Sequence, residues 1–157
     1  MTEQFSSRVS RYFPLLVWIA IISFASTANF SANNTSRIIE PLVKWLFPNV
    51  SAQSLGSIHF LTRKAAHFTE YFVLGYLAAR AFRGSSHASL RNNWIIISVA
   101  VVGMYSLLDE FHQSFVPSRT SSLHDSLIDT IGGVAALAVV AWRTRVSRKA
   151  ISTPRVV

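Results

Sequence analysis

The chain has 157 residues, half of them hydrophobic by type, with 14% charged residues and no cysteine, and its mean hydropathy is +0.35. Soluble domains carry about 25% charged residues, so this composition argues against a soluble protein. The missing cysteine excludes disulfide scaffolds, Cys-type zinc sites and thiol nucleophiles. The net charge of +8 must be read against the apolar runs before it is read as a nucleic-acid signature.

Four apolar runs organise the chain. The first, residues 12–28, contains no charged residue, and with its neighbours it reaches the roughly 20 apolar residues a spanning helix needs. Pro14 is expected near the start of that helix, where its missing N–H is tolerated. The competing reading is a cleavable signal with Arg8 and Arg11 as its basic start and Ser26 and Ala28 before the cut. The run is long for that, and three more runs follow. The second, residues 65–82, holds His67, Glu70 and Arg80. The third, 94–108, continues toward Phe115. The fourth, 123–142, carries Asp125 and Asp129 early.

Four spans put both termini on one side. That side holds Arg8, Arg11, Arg80, Arg83, Arg91, Arg143, Arg145, Arg148, Lys149 and Arg155 against the single acid Glu3, and the other holds only Arg37, Lys44, Arg63, Lys64 and Arg119 among its bases. The positive-inside rule therefore predicts cytoplasmic termini in an inner membrane. A transmembrane domain over 12–142 then lies between basic cytoplasmic tails, 1–11 and 143–157. The tails face anionic headgroups, and with no base-reading element beside them no nucleic-acid partner is expected.

Residues 29–62 connect the first two runs. Ile38, Ile39, Leu42, Val43 and Leu46 recur at helical spacing opposite Arg37, Glu40 and Lys44. This reads as a short amphipathic helix on the outer surface or as an ordered external loop, and Pro41 would kink such a helix. The fold expected is an all-α membrane protein with four transmembrane helices and that short helix in its first external loop.

Five of the seven acids lie in or beside spans two to four, all toward one face of the membrane in this topology. His67 lies three residues from Glu70 and four from Tyr71, Asp109 four from Gln113, and Asp125 four from Asp129. Each pair shares a helix face. Charged groups in lipid cost about 2.5–3.5 kcal/mol on the mildest scale, so they turn inward and pair. A hydrated pocket near the outer face is expected, lined by Lys64, His67, Glu70, Tyr71, Asp109, Glu110, Gln113, Arg119, Asp125 and Asp129. His67, Glu70, Asp109 and Glu110 are its acid–base candidates, and Lys64, Tyr71, Gln113, Arg119, Asp125 and Asp129 its ligand-binding ones. The bland reading is adhesion between helices, although interhelical polar contacts contribute only about 0.6 kcal/mol each. His59, His87 and His124 read as interfacial bystanders.

Two blocks carry a resemblance. RKAAHFTEYFVLGYL at 63–77 and DEFHQSFVPSRTSSLHD at 109–125, continued by SLIDTIGG to Gly133, resemble the VanZ-like family of small bacterial membrane proteins, associated with resistance to the glycopeptide teicoplanin. Asp129 stands where that family usually has Asn. Ala28 stands where a Gln often follows the serines of the first span. The resemblance implies a cell-envelope role, including glycopeptide resistance, but supplies no reaction. Two functions are carried forward. The first is binding of a lipid-linked or peptidoglycan-related envelope component among membrane lipids, with Arg119 and Lys64 suited to phosphate or carboxylate. The second is a membrane enzyme on a phosphorylated or lipid-linked substrate, with His67 or Glu70 as general base. The Ser-Arg spacing before His124 does not match lipid phosphatases. A metal held by His67, Glu70, Asp109, His112, Asp125 and Asp129 is the weaker reading beside an ion-pair network, so neither metal nor cofactor is expected. An ion pathway would need charges through the whole membrane depth.

Overall fold

The computed structural model describes residues 2–27, 32–117 and 122–152, which are helical apart from short connections, with no strand among them. The helices are α1 (Thr2–Ala25), α2 (Ala32–Leu46), α3 (Ala52–Arg83), α4 (Ala88–Asn92), α5 (Trp94–Ser114) and α6 (Leu123–Ser152). Arg119, Ala28 and Arg155 lie outside the described residues.

Hydropathy marks the apolar part of a helix and not its ends, and several boundaries differ for that reason. Helix α1 begins at Thr2, so Pro14 lies well inside it and not near its start. The connection 29–62 is not one loop. It contains α2, with Pro41 inside it, and the first turns of α3, which open on Ser51 accepting from the Ser54 N–H at 3.1 Å. Helix α3 has 32 residues, about 48 Å at 1.5 Å per residue, against a hydrocarbon core of about 30 Å. Of the four expected spans, two helices are long and apolar enough to cross a membrane, Trp94–Ser114 and the Leu123–Ser147 part of α6, whereas the apolar stretch of α1 is the shorter Val9–Ala25.

Helix α3 is central and packs on α6, α5, α1 and α2. Lys64 meets Asp125, His67 meets Asp129 and Gly75 meets Gly133, so α3 and α6 run parallel. Glu110 reaches Ser122, and Ser106 sits 2.9 Å from Ser126 and 3.0 Å from Thr130, so α5 runs against α6. Tyr12 donates to Ser85 at 3.0 Å and Gln113 to Ser26 at 3.4 Å, which aligns α1 with α5. The bundle therefore has two chemically distinct ends. One gathers the end of α1, the first half of α3, the end of α5 and the start of α6, and holds the acids. The other holds Arg11 of α1, Arg80 and Arg83 of α3 and Arg143 of α6.

The close α3–α6 crossing rests on glycine. A Cβ on Gly75 would fall on the Gly133 backbone, one on Gly132 on the Phe68 carbonyl, and one on Gly133 on the Val102 side chain. Small residues at such crossings let helices approach closely enough for dispersion and short polar contacts to act. Ile22, Tyr71, Leu74, Ala78 and Val102 fill the adjoining core. Outward the bundle shows large apolar side chains, among them Phe13, Leu16, Ile96, Met104, Phe111 and Ile131. Helix α2 does likewise with Ile38, Leu42 and Trp45, while Val43 is buried beneath it. On its polar side Glu40 pairs with Lys44 at 2.6 Å, and that hydrogen bond and charge hold the Glu40 carboxyl below its ordinary range.

Candidate functional site

At the acidic end, three helices contribute short polar side chains to a tight junction. Lys64 of α3 donates to Asp125 of α6, and Arg63 adds a second charge at 3.7 Å from the other Asp125 oxygen. One turn further, His67 Nδ1 lies 3.2 Å from Asp129 Oδ1, with both residues buried. On α5, Gln113 donates to Asp109 at 3.0 Å, and Glu110 accepts the Ser122 N–H at 2.6 Å, tying the end of α5 to the start of α6. Tyr71 is fully buried with its ring against Tyr105, centroids 6.2 Å apart. Tyr105 in turn donates to the Ile19 carbonyl at 2.8 Å and contacts Ser23 at 2.7 Å, fastening α1 to α5. Trp18 donates to the Glu70 carbonyl at 2.9 Å, fastening α1 to α3.

Lys64, His67, Tyr71, Asp109, Glu110, Gln113, Asp125 and Asp129 thus share one end of the bundle. His67 takes Asp129 as its partner across the α3–α6 interface, one turn from the Lys64–Asp125 pair. Not every polar atom here is matched. Tyr71 Oη, Glu110 Oε1, Gln113 Oε1 and Asp129 Oδ2 are buried without a hydrogen-bond partner. Each such group costs about 1–3 kcal/mol.

Beside this junction lies a cavity of about 140 Å³. Its wall comes from α1 (Ala25, Ser26), α2 (Thr35, Ile39) and α3 (His59, Thr62, Arg63, Ala66, His67, Glu70). Of the ten residues expected to line one pocket, the described wall includes His67 and Glu70. The acids of α5 and α6 are not in this wall and are engaged by Lys64, His67, Gln113 and the Ser122 N–H. A second hollow of about 150 Å³ adjoins it through Thr35, His59 and Arg63, with Phe60 at its edge. Two ionisable wall residues, His59 and Arg63, were not among the ten expected, and two guanidinium nitrogens of Arg63 are buried without hydrogen-bond partners. Their signal was present in the spacing. Residues 59, 63, 66, 67 and 70 form one helical stripe, but His59 and Arg63 precede the apolar run that directed attention. His112 and His124 are exposed.

Among the described residues no three His, Asp or Glu side chains converge closely enough to hold a metal ion. The carboxylates that would serve are engaged elsewhere, Asp125 with two cations, Asp109 with an amide and Asp129 with one imidazole. The arrangement is an ion-pair network with a cavity at its edge, walled by Arg63, Glu70 and two imidazoles. It can hold an anion against Arg63 and the imidazoles, and it can orient His67 through Asp129.

Comparison with known proteins agrees with the two sequence blocks. The family model for VanZ/LLP1 matches residues 11–144, a stretch that contains α2 to α5 entire and most of α1 and α6. No curated protein and no solved structure matches the chain.

Proposed function

From the premise that this chain belongs to the VanZ/LLP1 family, we propose that it is a multi-pass inner-membrane protein whose acidic end faces outward and binds a cell-envelope component. Helices α1 and α3 join α5 and α6 as spans in this reading, with both termini cytoplasmic. The outward faces support it. Phe13, Leu16, Val17, Ile21 and Phe24 of α1 are exposed, while its polar contacts point to α3 and α5. Helix α2 then lies at the interface with Ile38, Leu42 and Trp45 toward lipid.

The observation that carries the binding role is the cavity walled by His59, Arg63, His67 and Glu70 beneath α2. A guanidinium offers a planar fork to phosphate or carboxylate, so the ligand class is a lipid-linked or peptidoglycan-related group bearing such an anion. The physiological outcome is altered sensitivity to glycopeptides. The test is teicoplanin and vancomycin susceptibility of cells carrying wild type, Arg63→Gln, Glu70→Ala or Arg119→Ala, with membrane protein quantified. Wild type is expected to raise teicoplanin tolerance, and the variants to lose it at normal protein level. Variants as protective as wild type would overturn the binding role, and disappearance of the protein itself would reassign these residues to adhesion.

One observation favours a second reading. His67 is both in the cavity wall and held by Asp129, the geometry of a base oriented by a carboxylate. A membrane enzyme on a phosphorylated or lipid-linked substrate would use it so. Incubating purified protein with radiolabelled lipid-linked precursor would then give product that His67→Gln and Asp129→Asn abolish. No turnover by wild type removes this reading and leaves the first.

A further inference from the structure

The opposite end of the bundle carries a cleft that the reading above does not use. It has a volume of about 600 Å³ and lies between the end of α3 and the second half of α6, lined by Tyr76, Arg80, Arg83, Arg143, Thr144 and Ser147. Gly84 closes one side, and Arg11 packs against that glycine with its Nη1 buried and lacking a hydrogen-bond partner. Three guanidiniums, of Arg80, Arg83 and Arg143, therefore line one cleft, and that of Arg11 lies next to it beside Gly84. The salt bridges among the described residues all lie at the acidic end or within α2, and none reaches Arg11, Arg80, Arg83 or Arg143. Converging unpaired cations repel one another unless an anion sits among them.

The hydroxyls of the cleft narrow the ligand. Thr144 Oγ1 donates to the Val140 carbonyl at 2.7 Å and Ser147 Oγ to the Arg143 carbonyl at 3.0 Å. Their hydrogens are committed to the helix, so toward the cleft these oxygens act as acceptors. The cleft thus offers charged donors for a phosphate and neutral acceptors for a hydroxyl group. Its surroundings suit a lipid. Trp142 and Val139 are exposed beside it, Tyr76 is half exposed within it, and Arg83 lies over the Trp94 ring at 5.3 Å. Aromatic residues of this kind settle at headgroup level, and basic clefts between spanning helices hold anionic headgroups.

We propose that this cleft binds a phosphodiester headgroup bearing free hydroxyls, of the phosphatidylglycerol type, presented by the leaflet at the arginine end. The test uses the full-length protein in uncharged detergent. Its unfolding midpoint is followed while phosphatidylglycerol, phosphatidic acid, phosphatidylcholine, soluble glycerol phosphate or inorganic phosphate is titrated. Phosphatidylglycerol should stabilise wild type in a saturable way and phosphatidylcholine should not. Arg80→Gln with Arg143→Gln should weaken the apparent affinity by at least about tenfold. Arg91→Gln, which removes a cation outside the cleft, should leave it unchanged. Thr144→Val with Ser147→Ala should keep the response to phosphatidic acid and abolish the preference for phosphatidylglycerol over it. Because Arg80 and Arg143 are exposed, the first pair is expected to fold, and the second keeps every guanidinium should that pair fail. Equal stabilisation by soluble glycerol phosphate would keep the anion site and overturn its lipid source. An unaltered phosphatidylglycerol response in the Arg80→Gln, Arg143→Gln protein, or none in wild type, would overturn the site.

Discussion

The first half of α3 carries Arg63 and Lys64, and both reach Asp125 of α6. The last turn of the same helix carries Arg80 and Arg83 beside Arg143 of α6, and among the described residues no carboxylate lines their cleft. The same two helices, side by side and parallel, thus treat charge in opposite ways at their two ends. At one end the protein supplies the counter-charge, so the pairs are buried and act on folding. At the other no described carboxylate pairs with the arginines, which stay at least partly exposed and, in the proposal above, act on what binds. A buried charge needs a partner built into the chain, whereas an exposed one at a membrane surface finds its partner in the leaflet.

That contrast can be broken most directly by topology. The chain has no cysteine, so single cysteines at Gln53 and Ser147 can be labelled without background. In intact cells an impermeant maleimide should label the first and spare the second. Equal labelling, or the reverse, would place the two ends otherwise and remove the envelope reading.

Stability effects should divide the same way. Asp125→Ala leaves Lys64 without its buried partner and should cost about 3 kcal/mol, the lower part of the range for breaking such pairs because Lys64 keeps some exposure. Replacing both partners, Lys64→Met with Asp125→Leu, should recover most of it in denaturant titrations of the full chain. Arg80→Gln at the other end should leave the midpoint in neutral detergent unchanged. If it destabilises as Asp125→Ala does, the two ends are not different in kind.

Between the ends, Gly133→Val should cost about 2 kcal/mol by overpacking against Val102. Gly103→Ala, where a Cβ meets open space, should be neutral or slightly stabilising. Smaller still, Tyr12→Phe removes one hydrogen bond from α1 to Ser85 in the α3–α4 connection and should cost about 0.6 kcal/mol. The least effect is expected at the Glu40–Lys44 pair. Its hydrogen bond depresses the folded Glu40 pKa below the ordinary 4.5, so its contribution is present above that pH and lost as pH falls through the depressed value. Both side chains are exposed, so Glu40→Gln should leave the midpoint at neutral pH where it was.

Much of the acidic junction was legible without coordinates. His67, Asp109, Asp125 and Asp129 announced themselves because ionisable groups inside apolar runs must turn inward, and helical spacing put them on shared faces. The cavity was less legible. His59 lies in the stretch read as connection and Arg63 just before the apolar run, and no rule of hydropathy distinguishes a solvated turn of helix from one that walls a cavity. The pairing was not legible at all. His67 has Glu70 as its neighbour in sequence, yet it takes Asp129, because the register of α3 against α6 is set by where Gly75 and Gly133 let the backbones touch.

By itself the amino-acid sequence determined the helical class, the apolar character of the main helices and the gathering of acids toward one end, since each follows from composition and from a 3.6-residue period. Tertiary structure alone decided which acid neutralises which base, which few residues border open space, and that three arginines from two helices line a single cleft. Those outcomes depend on the depth and register at which one helix settles on another. That is a matter of shape between residues far apart in the chain, and local periodicity carries no record of it.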